Sequence, residues 1–326
     1  MATVPPIQYT REEAGEKGQV SFVRSQLILF QSRKKFGMLY SLATVAGLFC
    51  VPGALDAMGR ETSIPALIQQ TAPLPLISLL VAVGMYILND LVDADLDRTN
   101  GKKRPIPSGF VSKMQAWSFI MLTNAIAVAL ALITFNPVSM ILLAPMLAIG
   151  IMYSAPKIAL MNRFVVKNLS IAIFYMLCAL LGMASIYGTD PAFSDPSAPM
   201  HAMAVFGVMI FVGSIVNDLG DVKGDKAEGR RTIPIMMGGE KTIRMLMVVL
   251  MGMPAVSWTL YVLADGIGIT TTVAISIVTV LALMRMIKMK KGLRTMNAGY
   301  MRRQHKKWFP LHMVLQTSLV IGVLLI

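Results

Sequence analysis

The sequence contains few charged residues and very little cysteine or histidine. Only 14% of its 326 residues are charged and 55% are hydrophobic, whereas soluble domains carry roughly 25% charged residues. Cys50 and Cys178 both lie in apolar runs without metal-binding spacing, so we interpret them as packing residues. The three histidines form no ligand pattern. Residues 1–19 lack the apolar core of a signal peptide, so we expect no cleaved leader.

Long apolar runs, by contrast, are abundant. They predict an all-α polytopic membrane protein with about nine transmembrane helices, at 36–54, 73–91, 114–135, 137–154, 165–187, 199–218, 241–264, 269–287 and 308–326. The polar residues 1–35 include an amphipathic piece from Ser21 to Phe30, which we expect to lie on the membrane surface. The sequence thus divides into this N-terminal segment and a nine-helix domain at 36–326.

The distribution of positive charge predicts the orientation in the membrane. The N-terminal segment and the loops after the second, fourth, sixth and eighth spans, with the span ends that adjoin them, hold all 30 lysines and arginines except Arg60. Basic loops face the cytoplasm, so we expect the N-terminus there in a multi-pass cell-membrane protein. The net charge of +13 then reflects topology and attraction to anionic membrane lipids, and a nucleic-acid partner is not expected.

Two acidic motifs with the same spacing end two of the apolar runs. They read NDLVDADLD from Asn89 and NDLGDVKGD from Asn217, and the shared D-x2-D-x3-D residues are Asp90, Asp93 and Asp97 in the first and Asp218, Asp221 and Asp225 in the second. On a helix, these three positions project within about 60° of one another, while Asp95 points elsewhere. The repeat, in register, predicts two pseudo-repeated halves.

Each acidic motif is followed by basic residues, and together they predict a metal-diphosphate site. Clustered carboxylates repel one another unless a cation lies among them, and Mg²⁺ prefers such oxygen ligands while sharing its shell with phosphates. The flanking bases are candidate phosphate ligands: Lys102, Lys103, Arg104, Lys226, Arg230 and Arg231. The simpler alternative, interfacial charges that only set topology, explains one motif better than it explains two in register.

A third basic loop follows the fourth span. Tyr153 and Lys157 are spaced to share a helix face, although Pro156 makes a regular helix doubtful there. Alone, this loop is best explained as a topology signal. When it is considered together with the two motifs, Lys157 becomes a candidate third ligand of the diphosphate. Asn168, at the start of the next span, is also a candidate substrate-binding residue.

The paired motifs resemble those of the UbiA superfamily of intramembrane prenyltransferases, over roughly residues 30–326. The residues that carry the resemblance are NDLVDADLD with RPIPSG downstream, NDLGDVKGD with GRRTIP, and the Tyr-x3-Lys element at Tyr153. The resemblance implies nine helices around a central cavity, capped on the cytoplasmic side by the motif loops. It also implies transfer of a polyprenyl group from its diphosphate, with carbocation character at the reacting carbon.

The resemblance also assigns roles to residues. One Mg²⁺ is expected at Asn89, Asp90, Asp93 and Asp97, and a second at Asp218, Asp221 and Asp225, with Tyr153 near the reacting carbon. The expected substrate-binding residues are Asn89, Lys102, Lys103, Arg104, Lys157, Asn168, Asn217, Lys226, Arg230 and Arg231.

The acceptor is less well determined than the reaction. RPIPSG and the G-D-x3-G form of the second motif are similar to those of archaeal ether-lipid and chlorophyll-forming members. We therefore expect geranylgeranyl transfer to a lipid-like acceptor, geranylgeranylglyceryl phosphate, with chlorophyllide, an aromatic quinone precursor or haem as alternatives. CDP-alcohol phosphotransferases carry one contiguous acidic motif, so the second copy disfavours them. A cation transporter is a further alternative, but its acids would lie mid-span rather than at span ends beside bases.

Overall fold

A computed structural model describes residues 20–51, 64–99, 103–187, 197–263, 267–293 and 298–324, and all regular structure within these ranges is helical. We number the α-helices in chain order: α1 (Phe22–Phe49), α2 (Ile64–Thr71), α3 (Pro73–Val92), α4 (Ala94–Thr99), α5 (Lys113–Ile133), α6 (Pro137–Ser154), α7 (Phe164–Tyr187), α8 (Ser197–Ala227), α9 (Ile233–Met237), α10 (Gly239–Leu263), α11 (Ile269–Leu293), α12 (Ala298–Lys306) and α13 (Trp308–Leu324). A 3-10 turn, Leu160–Asn162, precedes α7.

The all-α membrane fold predicted from the sequence is confirmed, but the count of nine spans is not. Among the described residues, seven helices are long and apolar enough to cross a membrane; they are Ile68–Val92, Lys113–Ile133, Pro137–Ser154, Phe164–Ala184, Met200–Ala227, Gly239–Leu263 and Ile269–Leu293. Helix α1 carries Arg33, Lys34 and Lys35, which leave only a short uncharged stretch before Phe49. Helix α13 has 17 described residues, or about 26 Å of rise. A count of nine therefore stays a prediction.

Helix α1 is continuous where the sequence predicted two elements. It runs without a break from Phe22 to Phe49, so the amphipathic piece is the first part of this helix and the boundary at residue 35 falls inside it. Helix α1 packs against α3, α7 and α13. At its crossing with α7, a Cβ added to Gly47 would lie 2.1 Å from the Ala179 carbonyl oxygen. Glycine is therefore required for this close approach.

The remaining helices complete the bundle around α1. Helix α3 packs against α5 and α6, α7 against α6 and α8, and α10 against α8 and α11, while α13 closes against α11 and α1. The predicted turn between α5 and α6 is present: the side chain of Asn136 accepts a hydrogen bond of 2.9 Å from the Val138 N–H. These contacts place the ends of α3 and α8, which carry the acidic motifs, where α1, α6 and α7 also contribute side chains.

Candidate functional site

The first acidic motif is buried and bound by arginines. Asp90, Asp93 and Asp97 are 2%, 7% and 0% exposed. Arg33 of α1 binds Asp90 through two hydrogen bonds, one of them 2.7 Å long from Nε to Oδ2. Arg104 donates from Nη1 to Asp90 Oδ1 at 2.8 Å and to Asp97 Oδ2 at 2.7 Å. The outer two carboxylates thus share one guanidinium.

The backbone explains how this motif keeps its spacing across a helix break. Helix α3 ends at Val92, Asp93 is its cap residue, and α4 begins at Ala94. The N–H of Asp93 nevertheless bonds to the Asn89 carbonyl at 3.0 Å, and the N–H of Asp97 to the Asp93 carbonyl at 2.8 Å. Since these bonds have helical i to i−4 spacing, the three carboxylates stay on adjacent turns.

The second acidic motif uses different cations. Lys167 of α7 donates to Asp218 Oδ1 at 2.6 Å, and its Nζ lies 4.0 Å from Asp225 Oδ2. The amide of Asn168 donates to Asp218 Oδ2 at 3.1 Å. Asp221 differs from its neighbours because its side chain is 38% exposed and pairs with Arg302 of α12 at 2.8 Å.

A single arginine links the two motifs. Arg230, which follows α8, donates from Nη2 to Asp93 Oδ2 at 2.7 Å, and its Nε lies 2.7 Å from Glu228 Oε2. Burial lowers the pKa of the Arg230 guanidinium, but Asp93 and Glu228 outweigh burial and raise it above the usual value. The side chain is therefore a permanent cation that joins residues 137 positions apart in the chain.

The G-D-x3-G pattern of the second motif has a structural cause. The N–H of Gly229 bonds to the Lys226 carbonyl at 3.1 Å, and the N–H of Arg230 to the Asp225 carbonyl at 2.9 Å. Gly229 has a φ of 69°. This is a Schellman ending, in which a glycine with positive φ reverses the chain after a helix. The ending of α8 therefore turns Arg230 back toward the first motif.

Several other predicted residues lie at the margin of this cluster. Tyr153, near the end of α6, interacts electrostatically with Asp93, Asp218 and Arg230. The amides of Asn89 and Asn217 lie 3.5 Å from Asp93 Oδ2 and Asp221 Oδ2, at the long limit of a hydrogen bond. The remaining predicted bases Lys103, Lys157, Lys226 and Arg231 are exposed, and Lys102 lies outside the described residues.

Lys157 does not share a helix face with Tyr153. Helix α6 ends at Ser154 and Lys157 lies in the turn that follows, because Pro156 disfavours the helical conformation in the residue before it. The doubt that Pro156 raised in the sequence is thus confirmed.

The sequence analysis does not identify three cations of the site. Arg33 lies with Lys34 and Lys35 in the segment expected at the membrane surface, and Arg302 is one of many bases near the C-terminus. Lys167 has a usable signal, because it lies beside Asn168 at the start of an apolar span, where a buried charge needs a partner. The other two could be found only from helix packing.

The oxygen atoms present fit a hard cation such as Mg²⁺, although they do not converge on one point. Among the described residues, no three Asp, Glu, His or Cys side chains are arranged to hold a metal, since arginine and lysine take up the carboxylates. Within the same ranges, Asp225 Oδ2 and Asn168 Oδ1 are buried and accept no hydrogen bond. Carboxylate and amide oxygens are ligands that Mg²⁺ accepts, so the donor set is suitable.

One protein family matches most of the chain. The model of the UbiA prenyltransferase family matches residues 36–304. The digeranylgeranylglyceryl phosphate synthase of Natronomonas pharaonis is 30% identical over 199 residues, covering 59% of this chain and 68% of that protein. The synthase of the same name from Methanopyrus kandleri is 30% identical over 200 residues, covering 61% and 70%.

Solved structures show the same fold. A structure described as digeranylgeranylglyceryl phosphate synthase in membranes has a TM-score of 0.69 and 19% identity, covering 94% of this chain and 100% of that one. A UbiA homologue from Archaeoglobus fulgidus bound to GPP and Mg²⁺ has a TM-score of 0.61 and 16% identity, covering 89% and 99%.

Proposed function

Because this chain belongs to the UbiA prenyltransferase family, we propose that it transfers a geranylgeranyl group from its diphosphate to geranylgeranylglyceryl phosphate in archaeal-type ether lipid synthesis. The chain is a prenyltransferase and a multi-pass integral membrane protein. The donor, the metal, the acceptor and the orientation in the membrane are parts of the proposal.

The contact between Arg230 and Asp93 carries the proposal. It joins the loop after the second motif to the acid in the middle of the first, over 2.7 Å. Two sets of carboxylates and their cations therefore lie together at the ends of α3 and α8, a region that we call the mouth, as a single diphosphate with its metal ions requires. The Archaeoglobus homologue was solved with GPP and Mg²⁺, which supports a prenyl diphosphate and a divalent cation at the corresponding place here.

Mg²⁺, which we propose to bind as two ions, would supply positive charge that neutralises the diphosphate and favours its departure. We assign the ions to oxygens of both motifs, namely Asn89, Asp90, Asp93, Asp97, Asp218, Asp221 and Asp225. The guanidinium groups of Arg104 and Arg230, which now hold carboxylates, are placed to donate hydrogen bonds to phosphate oxygens. As the allylic C–O bond breaks, these fixed cations stabilise the charge that develops on the leaving group.

The acceptor assignment depends on relatives and on charge. The two relatives above are both named digeranylgeranylglyceryl phosphate synthase. An acceptor that carries a phosphate also suits the exposed bases Lys103, Lys157, Lys226 and Arg231 around the acidic cluster, which we assign to substrate binding. The acceptor hydroxyl oxygen forms the new C–O bond to the prenyl carbon, whose C–O bond to the diphosphate breaks, and the hydroxyl proton passes to water. By the positive-inside rule, the same bases support a cytoplasmic location for the acidic cluster.

The experiment that tests the proposal uses the purified full-length protein and labelled geranylgeranyl diphosphate. Four acceptors are compared: geranylgeranylglyceryl phosphate, chlorophyllide, 4-hydroxybenzoate and haem, each with Mg²⁺ and with a chelator. We expect a labelled lipid product only with geranylgeranylglyceryl phosphate and only with the metal. A product from another acceptor alone would overturn the acceptor, whereas full activity in chelator would overturn the metal assignment.

A further inference from the structure

A second site of suitable shape for a ligand lies outside the acidic cluster. A groove of about 520 Å³ separates α11 from the junction of α12 and α13, a volume within the range of small-molecule sites. We call it the basic groove. Its lining residues are Leu281, Met284, Arg285 and Lys288 from α11, and Gln304, Lys307 and Leu311 from the opposite wall.

Each wall of the basic groove changes from apolar to cationic along its length. On α11, positions 281, 284, 285 and 288 fall on one helix face, because they follow the i, i+3, i+4, i+7 spacing. Leu281 and Met284 come first on this face and Arg285 and Lys288 follow. The opposite wall begins with Gln304 and Lys307 and reaches Leu311 one turn later. The groove therefore has one basic end and one apolar end.

The cations of the basic groove are not neutralised by nearby acids. Within the described residues, no carboxylate lies within 4 Å of Arg285, Lys288 or Lys307, although Lys290 on another face of α11 pairs with Glu240 at 3.3 Å. Three positive charges around one groove, with an amide from Gln304, complement a phosphate-containing group with net negative charge better than a zwitterionic one.

The apolar end continues into the outer surface of the bundle. Leu281 and Met284 are 43% and 50% exposed, and Val280 and Ile277 beside them are 55% and 56% exposed. These residues belong to a helix that is apolar enough to span a membrane. Hydrocarbon chains would therefore cover them, and a chain attached to the phosphate can follow the same surface.

Helix α12 separates the basic groove from the acidic cluster. Arg302 on this helix binds Asp221 at 2.8 Å, while Gln304 lines the groove. Helix α12 also packs against α8. The groove therefore lies at the same end of the bundle as the acidic cluster but behind a different face of this short helix.

We propose that the basic groove binds an anionic membrane phospholipid, with its headgroup phosphate at Arg285, Lys288 and Lys307 and one hydrocarbon chain along Leu281, Met284 and Leu311. Basic recesses between transmembrane helices recognise anionic headgroups in this way. The proposal is independent of the prenyl acceptor, because none of these residues belongs to the acidic cluster.

The test is native mass spectrometry of the full-length protein, titrated with phosphatidylglycerol or phosphatidylcholine. The test variant is the triple substitution Arg285→Gln, Lys288→Gln and Lys307→Gln. Its matched control, Lys291→Gln, Arg303→Gln and Lys306→Gln, removes the same charge from the same segments outside the groove. We expect one tightly bound phosphatidylglycerol, weakened on the order of 100-fold in the test variant, at about fivefold per cation, and less than threefold in the control.

Three results would overturn the proposal. The control could lose as much affinity as the test variant, which would indicate general attraction to a basic surface. Phosphatidylcholine could bind equally well, or inorganic phosphate could displace the lipid at equal concentration, which would indicate a simple anion site. Should the triple variant fail to fold, Lys307→Gln against Lys306→Gln gives the same comparison at about fivefold.

Discussion

The first acidic motif surrounds its three aspartates with arginines, whereas the second holds its outer two aspartates near one lysine and leaves the middle one half-exposed. Asp93 is 7% exposed and bound by Arg230 from the other half. Asp221, at the matching position, pairs with Arg302 at the surface. The repeat therefore fixes the spacing of the acids but not the cations that bind them.

This difference shows where the internal symmetry of the molecule ends. The register of the two motifs sets Arg104 against Thr232, so the guanidinium shared by Asp90 and Asp97 has no basic counterpart in the second half. There, Lys167 contributes from a separate helix. The two motifs therefore bind their aspartates through different cations, and we expect that substitutions can test each motif separately.

The largest effect is expected from removing the first carboxylate of either half. Asp90→Asn and Asp218→Asn keep the side-chain shape but remove a charge that we assign to metal binding. Loss of such electrostatic stabilisation of the leaving group is expected to lower kcat at least about 10³-fold in each variant. The measurement is release of labelled diphosphate by protein that remains folded in detergent at the assay temperature. Glu240→Gln, an exposed carboxylate outside the motifs, serves as the control. Full activity in one variant would mean that a single half suffices.

The next largest effect is a loss of stability on removal of Lys167, the cation that pairs with the second motif. Lys167 is 8% exposed, and Lys167→Gln leaves Asp218 and Asp225 without their ammonium group. Breaking a buried ion pair by removing one member costs about 3–5 kcal/mol, so we expect a clearly lower Tm in detergent. Arg302→Gln is the matched comparison, because its pair with Asp221 is exposed and contributes at most about 1 kcal/mol. Equal losses in the two variants would contradict the distinction between buried and surface pairs.

The link between the halves is tested by Arg230→Gln. Arg230 donates to Asp93 and is placed to bind the diphosphate, so its loss is expected to lower kcat about 10²-fold, as for one donor of a charge-stabilising site. Arg244→Gln is the control, because this arginine of α10 is 64% exposed and pairs with Glu240 outside both motifs, and we expect a change of less than about threefold in its kcat. If Arg244→Gln proved the more damaging change, the proposed role of Arg230 would be wrong.

The sequence predicts the helices well where local signals end them. Helix α6 matches its predicted bounds, 137–154, because Asn136-Pro137 starts it and Pro156 follows its end. Helix α8 continues to Ala227, beyond its predicted end at 218, because apolarity stops at the first aspartate while helical hydrogen bonding does not. Helix α1 begins 14 residues before its predicted start, at Phe22 rather than 36. Here too, charged residues interrupt the apolar pattern but not the helical hydrogen bonding.

The acidic cluster is predicted only in part. Regular spacing places the aspartates on adjacent turns, which is a local property of one segment. The cations arrive from elsewhere: Arg33 reaches Asp90 because α1 packs on α3, and Arg302 reaches Asp221 because α12 packs on α8. Such contacts join residues far apart in the chain, and no local pattern in a single sequence specifies them.

The smallest effect is expected at Asp95, which lies two residues after Asp93. This carboxylate is 70% exposed and binds Lys113 at 2.9 Å, which lowers its pKa below the usual value. A lowered pKa stabilises the fold above the unfolded pKa, and the contribution disappears as the pH falls through the lowered value. At neutral pH, however, solvent and salt screen so exposed a pair. Asp95→Asn should therefore leave both kcat and Tm unchanged, whereas Asp93→Asn, which removes the buried carboxylate bound by Arg230, should lose activity. Similar losses in the two variants would mean that the side of the helix on which an aspartate lies does not determine its role.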